Sequence, residues 1–172
     1  MKYIFITFIF LFSIPFKGIS QRINLQELVN QKKFAEVVAM AGKLTSSDSL
    51  NVSVMSAVGQ AYEGLLKYRE AYNCYEHCLS LDTTNMNILG SVARTASAIG
   101  RVSDAERYFF KVLDLDSLDF YANYQLARLY YQLGDYDKAI SRYDRLQEVD
   151  TSNPVIWQNK GDCYTRKMSF PT

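Results

Sequence analysis

The chain has 172 residues, of which 48% are hydrophobic and 22% are charged, which favours a single structural unit with a buried core. Lys and Arg total 19 and Asp and Glu total 18, so the chain lacks the basic excess that binding a phosphate backbone requires. Composition therefore excludes nucleic acid as an expected partner.

The N-terminal segment differs in composition from the rest of the chain. Lys2 precedes an uncharged run, Tyr3–Phe16, which is shorter than the roughly 20 apolar residues of a spanning helix. Lys17 closes the run, and small residues at Gly18 and Ser20 fit a signal-peptidase site. The pattern predicts a signal peptide over residues 1–20 and export to the periplasm or outside the cell. The alternative is an uncleaved membrane anchor, which would be the chain's only membrane contact.

From residue 33 onward, similar residues recur every 34 positions. Within each unit, apolar or small residues stand at i, i+3, i+7 and i+10, the spacing of an amphipathic helix. The four columns are Phe34, Tyr68, Val102 and Tyr136; Val37, Ala71, Ala105 and Ala139; Ala41, Tyr75, Phe109 and Tyr143; and Leu44, Cys78, Val112 and Leu146.

Turn-forming residues follow each of these helices at the same interval. Inter-repeat turns are predicted at four pairs, because Asp, Ser and Thr side chains bond nearby backbone amides: Asp48-Ser49, Asp82-Thr83, Asp116-Ser117 and Asp150-Thr151. A second helix is predicted in each unit around a small residue, as at Gly59, Ala93, Ala127 and Gly161. Gly100 and Gly134 suit left-handed helix ends, and Asn153-Pro154 suits a helix start.

This pattern resembles the tetratricopeptide repeat, which has the same length and a similar order of small and aromatic residues. The match is best over residues 126–150, and a further unit opens with Trp157, Gly161 and Tyr164. The resemblance implies an all-α superhelical solenoid of antiparallel helical hairpins with a concave groove. The units expected are a partial repeat at 21–50, repeats at 51–84, 85–118 and 119–153, and a partial fourth repeat or capping helix at 154–172.

In proteins that this chain resembles, the first helix of each repeat lines the groove. The positions that correspond here, and that we predict to bind a partner, are Gln60, Glu63, Asn87, Arg94, Tyr121, Tyr124, Arg128, Tyr131 and Gln158. Tyr and Arg are residues that binding surfaces use as anchors. Arg94 and Arg128 stand in register one repeat apart, which suggests that two guanidinium groups clasp one carboxylate.

The three cysteines and the one histidine are the candidates for a metal or catalytic site. Cys78 shares a column with Leu44, Val112 and Leu146, so we expect it to be a small buried hydrophobe. The run Cys74 to Cys78 includes His77, but that residue shares a column with three basic residues and is expected at the surface. We therefore predict no metal site, no cofactor and no catalytic residue.

The hypothesis favoured by the sequence is an exported, non-enzymatic scaffold that binds a protein or peptide in its groove. One alternative is an envelope protein that binds carbohydrate on its tyrosine-rich face, because aromatic rings stack on sugars. Another is an enzyme that uses Cys74, His77 and Cys78. Gly161 and Tyr164 should pack against a further helix, so the C-terminal helix is expected to be a cap, to be followed by further residues, or to pair with a second molecule.

Overall fold

The computed structural model describes residues 25–169, which form ten α-helices and no β-strand within that range. The all-α prediction is confirmed. In chain order the helices are α1 (Leu25–Asn30), α2 (Phe34–Ala41), α3 (Ser46–Ser49), α4 (Val52–Gly64), α5 (Tyr68–Leu81), α6 (Met86–Ala98), α7 (Val102–Leu115), α8 (Phe120–Gln132), α9 (Tyr136–Val149) and α10 (Pro154–Ser169). The predicted signal peptide lies outside the described residues.

Four first helices, α4, α6, α8 and α10, begin after an Asn or Asp that repeats every 34 residues. The side-chain oxygen of this residue accepts a backbone N–H of the first turn, which satisfies a donor that would otherwise have no partner. The four capping residues are Asn51 before α4, Asn85 before α6, Asp119 before α8 and Asn153 before α10. The predicted cap at Asn153 is therefore confirmed.

Four first helices, α1, α4, α6 and α8, are each followed by a residue in the left-handed conformation. Gly100 and Gly134 have φ values of 77° and 78°, as the sequence predicts. At the equivalent positions after α1 and α4, Lys32 and Leu66 adopt φ values of 58° and 59° despite their side chains. The first two hairpins thus carry a conformational cost that the later two avoid with glycine.

Three of the four predicted inter-repeat turns are present. Asp82, Asp116 and Asp150 each end a helix, and each carboxylate accepts the backbone N–H two residues later. The prediction of a turn at Asp48-Ser49 is wrong, because both residues lie in the single-turn helix α3. There Asp48 accepts the backbone N–H of Thr45 and completes a capping box.

The packing of the helices follows the 34-residue repeat. α4 packs on α5, α6 on α7 and α8 on α9, and each pair packs on the next. The central aromatic side chains of three second helices, Tyr75, Phe109 and Tyr143, are buried. At Gly59 the fit is so close that an added Cβ would lie 2.7 Å from the Tyr75 ring. This contact couples the two helices of the hairpin.

The first helices lie side by side and form one surface, which we call the groove. Glu63 of α4 contacts Arg94 of α6, and Tyr124 of α8 contacts Asn159 of α10. At the N-terminal end, Gln26 of α1 donates to Gln60 of α4 at 3.0 Å. Within residues 25–169, no helix combines the length and the apolarity needed to cross a bilayer.

Replacing Leu66 with Gly should raise the free energy of unfolding by about 0.5–1 kcal/mol, because Leu66 holds a left-handed conformation that glycine adopts without strain. Its side chain is 71% exposed, so little packing is lost. Urea unfolding followed by circular dichroism measures the change. The reciprocal variant Gly100→Leu should lower stability, and a loss of stability in Leu66→Gly would contradict the argument.

Candidate functional site

The centre of the groove holds an ion pair between neighbouring hairpins. Arg94 Nη2 donates to Glu63 Oε2 at 2.6 Å, and Arg94 Nη1 pairs with the other carboxylate oxygen. The Tyr75 hydroxyl donates to Glu63 Oε2 at 2.8 Å from beneath the groove. Burial, and then the Glu63 carboxylate, raise the pKa of Tyr75, so this hydroxyl stays protonated and remains a donor. Glu63 is thus held by three donor groups.

The same ion pair bears on the predicted role of Arg94. Burial disfavours its charge, but Glu63 outweighs that effect and raises the pKa of Arg94. Both of its terminal nitrogens are bonded to Glu63, whereas the sequence suggested that the guanidinium groups of Arg94 and Arg128 clasp one carboxylate. The binding of a partner by Arg94 stays a prediction.

Three tyrosines of α8 follow one another along the groove. Tyr121 is 41% exposed and meets the Phe109 ring edge-on, with ring centroids 6.4 Å apart. Tyr124 is half-buried and stacks on Phe120 with centroids 6.2 Å apart. Tyr131 is half-buried and packs edge-on against Tyr136. These contacts fix the rings in place, so a ligand would meet a preformed surface.

Arg128 lies among these tyrosines at the mouth of a pocket of about 280 Å³. Its guanidinium carbon is 6.0 Å from the centroid of the Tyr124 ring, a distance at which the ring face attracts a cation. Arg128 is exposed and forms no ion pair with any residue in 25–169. The pocket is lined by Tyr124, Arg128, Tyr131, Gln132, Tyr143, Asn159 and Asp162.

Two lining residues from α10 were missed in the sequence. Asp162 stands 34 residues after Arg128, and Asn159 stands 34 residues after Gln125, so the repeat period could have identified both. Asn159 Nδ2 approaches the Tyr124 hydroxyl at 3.5 Å. Asp162 forms no ion pair within the described residues. The pocket therefore has an arginine on α8 and an aspartate on α10, neither of which forms an ion pair within residues 25–169.

The remaining predicted residues lie away from this pocket. Gln60 is half-buried and bonded to Gln26 and Ser56, so α1 occupies that end of the groove. Asn87 is exposed near the start of α6. Gln158 is exposed on α10, next to Asn159, but it does not line the pocket.

The cysteine and histidine cluster has no reactive geometry. Cys74, Cys78 and Cys163 are free and buried, and the expectation for Cys78 is confirmed. Burial raises the pKa of Cys74 and of Cys78 to about 11. His77 is half-buried, and its Nε2 lies 2.8 Å from the Ser49 carbonyl oxygen. No group of His, Cys, Asp or Glu in residues 25–169 has the arrangement of a metal site.

Stacked antiparallel hairpins with a groove on one side define a helical-repeat protein. Tetratricopeptide-repeat family models match residues 52–85 and 100–162, which together cover more than half of the chain. The chain belongs to the tetratricopeptide-repeat family. Both models describe repeats and not a catalytic family.

Similar proteins include Tetratricopeptide repeat protein 8 of Caenorhabditis elegans, which is 25% identical over 147 residues. That match covers 86% of this chain and 26% of the relative, so the chain spans about a quarter of the relative's length.

Solved structures show the same fold. A MamA structure has a TM-score of 0.76 at 20% identity, with 83% of this chain and 84% of that chain covered. A tetratricopeptide repeat protein from Parabacteroides merdae ATCC 43184 has a TM-score of 0.74 at 21% identity, over 85% of this chain and 58% of that one. YrrB, described as a tetratricopeptide-repeat protein with an unusual peptide-binding site, has a TM-score of 0.72 at 20% identity, over 86% and 76%.

A double-mutant cycle should show that Glu63 and Arg94 stabilise one another by about 1–2 kcal/mol, because the carboxylate is largely buried and bonded by both terminal nitrogens. The cycle compares Glu63→Gln, Arg94→Gln and the double variant by urea unfolding. The pair Arg101 and Asp104 is the control, since both lie near the surface three residues apart. An equal or larger coupling in the control pair would contradict this assignment.

All three thiols should react slowly with an aromatic disulfide reagent at pH 8 in the folded protein and rapidly in denaturant. Burial blocks access to each sulfur, and it raises the pKa of each thiol, which lowers the fraction of reactive thiolate. The release of the coloured thiol measures the rate. Rapid reaction of one native cysteine would contradict the assigned burial and would favour the enzyme hypothesis.

Proposed function

We propose that this protein is a scaffold whose groove binds a segment of a partner protein, with Arg128 anchoring an acidic group of that segment. The observation that carries the proposal is an exposed guanidinium without an ion pair among the described residues, set in a pocket of aromatic rings. Tetratricopeptide-repeat proteins act as protein-interaction scaffolds, and the peptide-binding site of YrrB is a parallel on the same fold.

The charges and rings of the pocket suggest the chemistry of the segment. A carboxylate held by a planar guanidinium receives charge-assisted hydrogen bonds, which are about twice as strong as neutral ones. Tyr124 and Tyr131 line the pocket beside Arg128 and add apolar surface for an aliphatic or aromatic neighbour. Asp162, across the pocket, accepts a backbone N–H or a basic side chain. We therefore favour a peptide that carries an acidic residue beside an apolar one.

The place of action proposed here is outside the cytoplasm. Support comes from the run Tyr3–Phe16, the flanking lysines and the small residues before position 21. In this proposal the partner is another protein of the cell envelope. Mass spectrometry of the protein recovered from its native compartment would test the location, because cleavage after Ser20 gives a chain that begins at Gln21.

The carbohydrate hypothesis receives less support from the geometry. A sugar needs an open ring face, but Phe120 stacks on Tyr124, and Tyr143 and Arg128 pack around the same ring. Tyr121 is the most exposed of the three groove tyrosines, and it alone does not form a platform. A peptide ligand makes use of both the rings and the free charge, so we prefer it.

Replacing Arg128 with Gln should weaken binding of acidic peptides by roughly 10- to 100-fold, because one charge-assisted contact is lost. The probe is a set of fluorescent twelve-residue peptides in which Asp or Glu adjoins Leu or Phe, and fluorescence anisotropy measures the dissociation constant. Binding to the wild type should weaken as salt rises.

The matched control is Arg69→Gln, because Arg69 is an exposed arginine of α5, a helix that does not line the groove. This variant should bind as the wild type does. Equal binding by Arg128→Gln, or quenching of tyrosine fluorescence by oligosaccharides but not by peptides, would contradict the proposal.

A further inference from the structure

The last described helix, α10, is buried on one side and open on another. Ile156 and Cys163 face α9 and are fully buried. The neighbouring stripe is exposed: Trp157 by 54%, Tyr164 by 48% and Met168 by 80%. At Gly161, in the middle of this stripe, no atom lies within 4 Å of where a Cβ would be. We call Trp157, Gly161, Tyr164 and Met168 the α10 stripe.

Three of these four positions are buried in the preceding hairpins. Counting back 34 residues from Trp157, Gly161 and Tyr164 gives Asn123, Ala127 and Tyr130, and counting back once more gives Leu89, Ala93 and Ala96. These six residues are at most 4% exposed. In each hairpin the second helix, α7 or α9, packs on the helix that carries these residues. Trp157, Gly161 and Tyr164 therefore stand at positions that neighbouring helices bury in the rest of the stack.

We propose that the α10 stripe is covered by the α10 stripe of a second copy of this chain, in a two-fold symmetric antiparallel pair. The spacing of the stripe is i, i+4, i+7 and i+11, which is a heptad pattern. The stripe is also symmetric about the midpoint between Asp162 and Cys163. When two copies are antiparallel, Trp157 of one therefore meets Met168 of the other, and Gly161 meets Tyr164.

The sizes of these residues match across the two-fold axis. A symmetric interface repeats each contact twice, so each Gly161 receives the Tyr164 ring of the second copy. The chain already contains such a fit, because the ring of Tyr75 lies directly over Gly59 in the hairpin of α4 and α5. The open space at Gly161 is thus the kind of site that an aromatic ring fills in this fold.

The charges near the stripe allow close approach. Lys160 is paired with Asp144, and Lys167 is paired with Asp137, both within one chain. Both lysines are therefore already neutralised by carboxylates of their own chain. Trp157 is also fixed, because its Nε1 donates to the Thr151 carbonyl oxygen at 2.8 Å. With only four side chains per copy, the interface is small, so the dimer forms reversibly and at high concentration.

The test uses the full chain and its only tryptophan, Trp157, which lies in the proposed interface. Sedimentation velocity and tryptophan emission are recorded as the protein concentration rises from about 1 µM to about 1 mM. The expected result is a reversible change from monomer to dimer, with a blue shift of the emission over the same range. Gly161→Gln should raise the dimer dissociation constant at least tenfold, roughly the loss of one packed ring.

Gly90→Gln is the matched control, because Gly90 is also a helical glycine with no atom within 4 Å of an added Cβ. It should dimerise as the wild type does. Three results would overturn the proposal: association that Gly161→Gln leaves unchanged, a monomer at every concentration, or a blue-shifted emission already present in the monomer. The last result would mean that residues of the same chain cover the stripe.

Discussion

The architecture depends on the close contact between the two helices of each hairpin. Tyr75 over Gly59 shows how close this contact is, and Phe109 and Tyr143 are buried at the same positions in the next two hairpins. A hairpin joined in this way still has an apolar side to bury, and the next hairpin covers it. The stack follows from that shared burial.

Stacking also decides which polar groups remain free. The first helices are brought side by side, so a charge on one can reach a charge on the next. Glu63 and Arg94 meet in this way and neutralise each other, whereas Arg128 faces Asp162 without an ion pair among the described residues. The chemistry of the groove is therefore concentrated between α8 and α10, and α1 takes up the opposite end through Gln26 and Gln60.

Much of the local structure could be predicted because it depends on short-range interactions. Asn153 caps α10 whatever lies around it, and Gly100 and Gly134 end their helices because their backbone tolerates a positive φ. The same reasoning failed at Asp48. There Thr45 and Asp48 form a capping box, which favours a short helix over the predicted turn. It also could not identify Lys32 and Leu66 as left-handed, since their side chains argue against that conformation.

The 34-residue period is visible in the sequence, and it predicts the paired helices, the cap at Asn153 and the resemblance to the family, because a repeated unit specifies its own local hydrogen bonds and apolar faces. Which groove charges are paired with one another depends on the tertiary structure. Arg94 and Arg128 occupy equivalent positions in the sequence, yet they differ because Glu63 lies beside one and not the other. The same holds for Gly59 and Gly161, of which one is covered by a ring and the other is open. Such differences arise from neighbours that are distant along the chain.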